Sequence, residues 1–250
     1  MFGSTIVYSG FVLAAAGLLA VIKPLRLLHI QTRQEGLVVA AVGILLAIVG
    51  LFLPAPESRI EKPMTRLDEF IPAWQFSERH TIEIAAPRDT VFNALKQVRA
   101  DEILFFRTLT WIRRGGQPLP PSLLNAGSRE SLIDVALNGG FVRLAEDAPH
   151  ELVIGTVVIG PPGPHGTLTP EVFQKPLPPG FALAAMNFVV TEVGPGRSLV
   201  STETRVFANS TSARRQFATY WRLIYPGSAI IRRMWLRAVR KRAQSAVSMR

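Results

Sequence analysis

Four histidines, His29, His80, His150 and His165, are the side chains of this 250-residue chain best suited to proton transfer or metal binding, and they lie far apart. No two have the short spacing that puts a zinc pair on one helix face, and the absence of cysteine removes thiolate ligands, thiol nucleophiles and disulfides together. Neither a metal nor a cofactor is expected. His80 reads as an ordinary strand residue, although its face also carries Ile82 and Ile84. Residues 160–166, Gly-Pro-Pro-Gly-Pro-His-Gly, are glycine-rich, but their prolines lack the amide donors a phosphate cradle needs and no Gly-Lys-Ser/Thr follows. No Gly-x-Ser-x-Gly elbow occurs, so hydrolase chemistry is unsupported and no catalytic residue is assigned. Glu203 and Arg205, two positions apart, share one side of a strand and could form a charged network with Arg222, but a structural or solvated ion pair on the outer face is the favoured reading.

The elements around these residues begin with two uncharged segments, 5–22 and 37–53, of 18 and 17 residues. A helix needs ~20 residues to cross the hydrocarbon, within a range of roughly 17 to 25. The pair is therefore expected to form a transmembrane hairpin at residues 1–53, with a buried core hairpin as the alternative. Residues 1–4 carry no basic side chain, which argues against a cleaved signal peptide. Lys23, Arg26 and Arg33 in the connecting loop lie nearer a membrane boundary than Arg59, Lys62 and Arg66, so the loop is expected inside and the following domain outside. Beyond the hairpin the chain has ordinary globular composition. Its net charge of +10 resides in residues 213–250, which hold ten basic residues and no acid.

Residues 54–73, with four prolines among alternating charges, read as a linker, and the folded domain is expected over 74–250. Alternation from Glu78 to Ile84 predicts a strand, and Pro87 followed by Val91, Ala94, Leu95 and Val98 predicts an amphipathic helix. Four further strands are expected over residues 141–145, 151–159, 181–193 and 199–207, the last two joined by Gly194-Pro195-Gly196-Arg197. Phe217, Tyr220, Trp221 and Ile224, then Ile231, Met234, Trp235 and Ala238, predict a long C-terminal helix kinked or restarted at Pro226.

Ile82-Glu83-Ile84-Ala85-Ala86-Pro87 with Val91 and Phe92, and the closing Thr202-Glu203-Thr204-Arg205-Val206 with Tyr220-Trp221-Arg222, resemble the START-like helix-grip superfamily (SRPBCC, the polyketide cyclase and lipid-transfer type). The resemblance covers about residues 76–243. It implies an α+β fold, an antiparallel sheet curled around the long C-terminal helix, with an apolar ligand held between sheet and helix. The closing segment also looks like bacterial members of that superfamily; the hairpin lies outside the resemblance, and together they make a bacterial inner-membrane protein with its domain extracytoplasmic the expectation. Binding proteins and enzymes both occur on this fold, so three functions stay open: a membrane-anchored binder of a lipid-like or other apolar molecule, an enzyme acting on one, or a structural or regulatory membrane protein with a filled core.

Cavity walls for such a ligand would come from Phe105, Phe106, Trp111, Phe141, Phe181, Met186, Phe188 and Tyr220. Residues 160–180 hold seven prolines and four glycines, and so form a long loop; Phe173 and Leu177 are its candidates for a lid at one end of that cavity. Arg233, Arg237, Arg240 and Lys241 are the candidates for contact with anionic membrane lipid, a better partner here than nucleic acid. A solubilising role for the same charges is equally compatible with an amphipathic helix. Nothing in the sequence indicates an oligomeric state.

Overall fold

The computed structural model describes residues 2–118, 122–127, 129–161 and 168–249. The chain forms two compact units: Met1–Pro56 with Arg214–Tyr225, and Glu57–Ala213 with Pro226–Arg250.

In the first unit α1 (Phe2–Ile22) and α2 (Arg33–Phe52) are antiparallel, since Gly10 meets Ala47 and Gly17 meets Ala40. Thr32 starts α2 with a reciprocal cap: its hydroxyl accepts the Glu35 N–H at 3.2 Å, and the Glu35 carboxylate accepts the Thr32 N–H at 3.1 Å. The buried side of α2 is Gly36, Ala40, Gly43, Ala47 and Gly50, an alternation of four and three residues. Backbones touch along this seam. A Cβ at Gly10 would stand 2.5 Å from the Ala47 nitrogen and 2.6 Å from the Gly43 carbonyl oxygen. Small residues allow this approach, which is how helices associate where burial of apolar surface supplies no drive. The remaining surface is apolar and open, with Leu19, Leu45 and Phe52 exposed. Both helices are long and apolar enough to cross a membrane, and only 28% of each span is buried.

In the second unit β1 (Ser58–Arg59) and β2 (Ala73–Trp74) pair around α3 (Leu67–Phe70). There follow β3 (Phe76–Ile84), α4 (Arg88–Gln97), α5 (Phe106–Arg113), α6 (Leu132–Asn138), β4 (Val142–Asp147), β5 (Glu151–Ile159), β6 (Ala182–Gly194), β7 (Arg197–Ala208) and α7 (Thr211–Ser248). The last five strands form one antiparallel sheet in the order β3-β7-β6-β5-β4. The β6–β7 hairpin turns at Gly196, whose φ of +64° suits glycine. This is the expected α+β class: a five-stranded antiparallel sheet with a long C-terminal helix, preceded by two apolar helices.

One sheet face carries Leu152, Ile154, Met186, Phe188, Val190 and Val200 against α4, α6 and the second half of α7. Phe188 and Trp235 are its aromatic centre, with ring centroids 4.9 Å apart. Full burial of side chains of this size stabilises by about 1.5–3 kcal/mol each. The opposite face is buried too. Leu144, Val153, Leu183 and Ala185 pack there against Leu67, Phe70, Ile71 and Phe173.

Two sequence expectations change. The segment read as a linker, 54–73, is folded from Glu57 on, because Leu67, Phe70 and Ile71 bury themselves on the sheet while the prolines merely break the segment into short pieces. Of the two alternatives expected at Pro226, a kink or a restart, the restart does not occur: α7 continues as helix through Pro226 for 38 residues. Arg222 lies in the stretch of this helix that belongs to the first unit. Its guanidinium donates to the Leu51 and Leu53 carbonyl oxygens and so caps the C-terminus of α2. It takes no part in a network with Glu203 and Arg205.

Candidate functional site

The face of the sheet away from α7 carries a cleft of about 430 Å³. Its first wall is the chain around α3, held by buried charges. The Glu151 carboxylate, on β5, accepts the Arg66 N–H at 2.8 Å, the Leu67 N–H at 3.3 Å and the Asn187 side-chain N–H at 2.7 Å. Arg205 on β7 donates to Asp68 and to Glu203, both at 2.6 Å, and to the Ile71 carbonyl oxygen at 3.2 Å. Its guanidinium also lies 4.0 Å from the centre of the Trp74 ring. Burial raises the Asp68 pKa, but hydrogen bonds from the Met64 N–H, Arg205 and the Thr65 N–H outweigh it, and the carboxyl titrates below its ordinary range.

The second wall is the chain from the turn at Pro170–Phe173 to Phe181. Phe173 reaches the sheet over Gly155, where a Cβ would collide with its ring at 2.6 Å. Asn209 fixes the rest. Its side-chain oxygen accepts the Gly180 and Phe181 N–H groups at 3.0 and 2.9 Å, and its nitrogen donates to the Leu177 and Pro178 carbonyl oxygens at 3.1 and 2.7 Å. Between the walls lie Phe70, Ile71, Leu177, Phe181, Leu183 and Phe207, with Arg59, Gln174 and Lys175 adding polar groups to the lining. Such a cleft offers apolar contact along its length and positive charge among its polar groups.

A second polar constellation sits on the α7 side of the sheet. Glu78 is buried; it meets His80 Nε2 at 2.6 Å and accepts the Ser228 hydroxyl at 2.9 Å. Arg233 Nε stands 3.4 Å from His80 Nδ1 and donates to it. Arg232 is pushed down to about 10, chiefly by burial, with Glu78 pulling up and Arg113 adding repulsion. Its Nη1 and the Trp235 indole N–H are buried without a hydrogen-bond partner among the described residues. A carboxylate–imidazole pair of this kind can hold or relay a proton.

The residues singled out from sequence scatter. Phe106, Met186 and Phe188 are core side chains between sheet and helices, and Phe141 packs beside them. Phe105 and Trp111 are 56% and 54% exposed, Phe181 lines the cleft, and Tyr220 lies in the first unit beside Phe217. Phe173 and Leu177, expected as a lid over a sheet–helix cavity, are instead part of the second wall on the opposite face. Of that loop, residues 162–167, His165 included, lie outside the described residues. Arg233, Arg237, Arg240 and Lys241 are exposed along one side of α7.

Sequence reasoning missed the cleft because it sought one ligand-facing side of the sheet. The signal was present: residues 182–188 of β6 are buried at every position, and an unbroken buried run means a strand covered on both faces. Glu78 was likewise legible, two residues before His80 and so on its face.

Among the described residues no group of three His, Asp or Glu side chains is placed to hold a metal ion. No family model matches the chain, and no curated protein matches it in sequence. Among solved structures the chain is similar to the Zhui aromatase/cyclase from Streptomyces sp. R1128, with 12% identity and a TM-score of 0.27 over 69% of this chain and 95% of that one. A likeness so weak carries nothing about activity or ligand, and the architecture rests on the strands and helices themselves.

Proposed function

We propose that this protein is a membrane-anchored binder of a lipid-like molecule, held in the cleft on the outer face of the sheet. The carrying observation is the cleft itself, about 430 Å³ lined largely by Phe, Leu and Ile side chains with Arg59 and Lys175 among its polar groups. That combination suits an acyl chain ending in an anionic group. The hairpin of α1 and α2 supplies the anchor, since both helices meet the length and hydropathy a span requires and expose apolar side chains. In this reading the loop bearing Lys23, Arg26 and Arg33 is cytoplasmic and the domain extracytoplasmic, in a bacterial inner membrane.

The test is photo-crosslinking of the full chain, in membranes, with a diazirine fatty acid, followed by peptide mapping. Adducts are expected in the peptides holding Phe173 to Leu183 and Phe70 to Ala73, and Leu183→Trp, which fills the cleft, is expected to abolish them. Adducts elsewhere only, or adducts indifferent to Leu183→Trp, reject the cleft as the binding site.

A second reading, an enzyme of the same fold, is favoured by the Glu78–His80 pair. It requires that His80→Asn abolish turnover of a bound molecule while leaving crosslinking at the cleft unchanged.

A further inference from the structure

We infer that α5 and the residue pair that enters it form a second, interfacial contact with an anionic bilayer, separate from the hairpin; this rests on the membrane-anchored reading above. Leu104, Phe105, Trp111 and Ile112 are 59%, 56%, 54% and 59% exposed. Trp111 and Ile112 are neighbours in the last turn of α5, and Leu104 and Phe105 are the two residues that lead into its first turn. Phe106 and Thr110 are buried, with the Thr110 hydroxyl donating to the Phe106 carbonyl oxygen at 2.8 Å. The four apolar side chains are thus uncovered at the entry and the last turn of a helix whose buried side is Phe106 and Thr110.

The entry to α5 has an uncommon backbone conformation. Phe105 sits at φ +64°, ψ 2°, a left-handed conformation that a bulky L residue adopts only when something around it compensates. The Trp111 ring lies against Gly116, where a Cβ would approach it to 3.2 Å. Two aromatic residues and two large aliphatic ones, positioned and uncovered, are more than scattered surface apolarity.

Charge identifies the occupant. Residues 103–129 contain Arg107, Arg113, Arg114 and Arg129 and no acidic residue. Arg107 and Arg113 are exposed, and Arg114 donates to the Asn125 side-chain oxygen at 3.0 Å. Tryptophan and phenylalanine flanked by arginine match the headgroup boundary of a bilayer: rings enter the upper acyl region while guanidinium groups meet phosphates. A partner protein would also meet apolar side chains, but the exclusion of acid over 27 residues is what an anionic surface specifically rewards.

The chain's lack of cysteine allows single labelled sites in the full protein. Ile112→Cys, Leu45→Cys in α2 and Asp147→Cys at the exposed end of β4 each receive an environment-sensitive fluorophore. Each variant is reconstituted into vesicles of phosphatidylcholine, with or without phosphatidylglycerol, containing doxyl-labelled lipid. The label at 112 is expected to shift to the blue and be quenched by lipid several-fold more than the label at 147, and more with phosphatidylglycerol than without. Arg107→Gln with Arg113→Gln should remove the phosphatidylglycerol-dependent part. A label at 112 that is open to aqueous iodide and as unquenched by lipid as the label at 147 overturns the inference. So does one shielded from both quenchers, which would mean a protein cover. Lipid quenching at 45 without any at 112 rejects only this contact, while absence of quenching at 45 rejects the membrane-anchored reading itself.

Discussion

At the scale of single residues, the determining feature of the second unit is a set of charges buried where they hold backbone. Arg205 is 6% exposed and Asp68 5%, and each bonds to chain as well as to the other. Removing one partner of a buried pair strands the other and costs about 3–5 kcal/mol, whereas exposed pairs such as Arg59–Glu57 are worth little. Arg205→Met is therefore expected to lower the unfolding midpoint strongly, read from fluorescence of the detergent-solubilised full chain, and Arg59→Met to leave it nearly unchanged. The pair also dictates a pH dependence. The Asp68 pKa is lower folded than unfolded, so its contribution is complete above the ordinary carboxylate range and is lost as pH falls through the lower folded value. Acid titration should show the parent losing stability below about pH 4, with a shallower loss in Asp68→Asn. Equal slopes in the two proteins would remove Asp68 from the account.

At the scale of elements, the hairpin of α1 and α2 depends on absent side chains. Because a Cβ added at Gly10 would stand 2.5 Å from the backbone of α2, any larger residue must push the helices apart. Overpacking of an ordinary core costs typically about 1–3 kcal/mol, and backbone cannot yield as a side chain can. Gly10→Leu is expected to lower the thermal midpoint of the full chain in detergent, while Leu45→Ala, at a position 60% exposed, should change it little. A midpoint unaffected by Gly10→Leu would show that the seam does not hold the helices. The helix α7 makes the contrasting point: one unbroken element contributes residues Arg214–Tyr225 to one unit and Pro226 onward to the other.

At the scale of the whole molecule, α7 contributes residues to both units, so a cut between α2 and β1 removes part of what residues 214–225 cluster with. A fragment beginning at residue 57 retains every strand but leaves Arg214–Tyr225 without the helices it clusters with, including the α2 carbonyl groups that Arg222 caps. Such a fragment is expected to elute as aggregates in size-exclusion chromatography, or to lose α-helix content relative to the full chain. A monodisperse fragment with full helicity would show that the second unit folds alone. The full chain is in turn expected to resist extraction from membranes by alkaline carbonate, because two spans of this length and hydropathy are costly to remove from lipid. Its release into the supernatant would reject the anchor.

Local pattern was enough for α1, α2, α4, α7 and the five strands of the large sheet, but not for α3, α5 and α6. Uncharged runs marked α1 and α2, alternation marked β3, the glycine–proline turn placed the β6–β7 hairpin, and the 3.6-residue repeat marked α7. These are short-range consequences of backbone geometry and burial, so adjacent residues report them. Which side of the sheet offers a cleft was not local. It depended on Phe70 and Ile71 meeting Leu177 and Leu183, residues more than a hundred positions apart, and on Asn209 reaching back to Gly180. Partner identity decided the rest: Arg222 bonds to the end of α2 and Arg205 to Asp68, because a charge taken out of water settles on whatever acceptor the fold brings within 3 Å, and neighbours in sequence do not reveal which one that is.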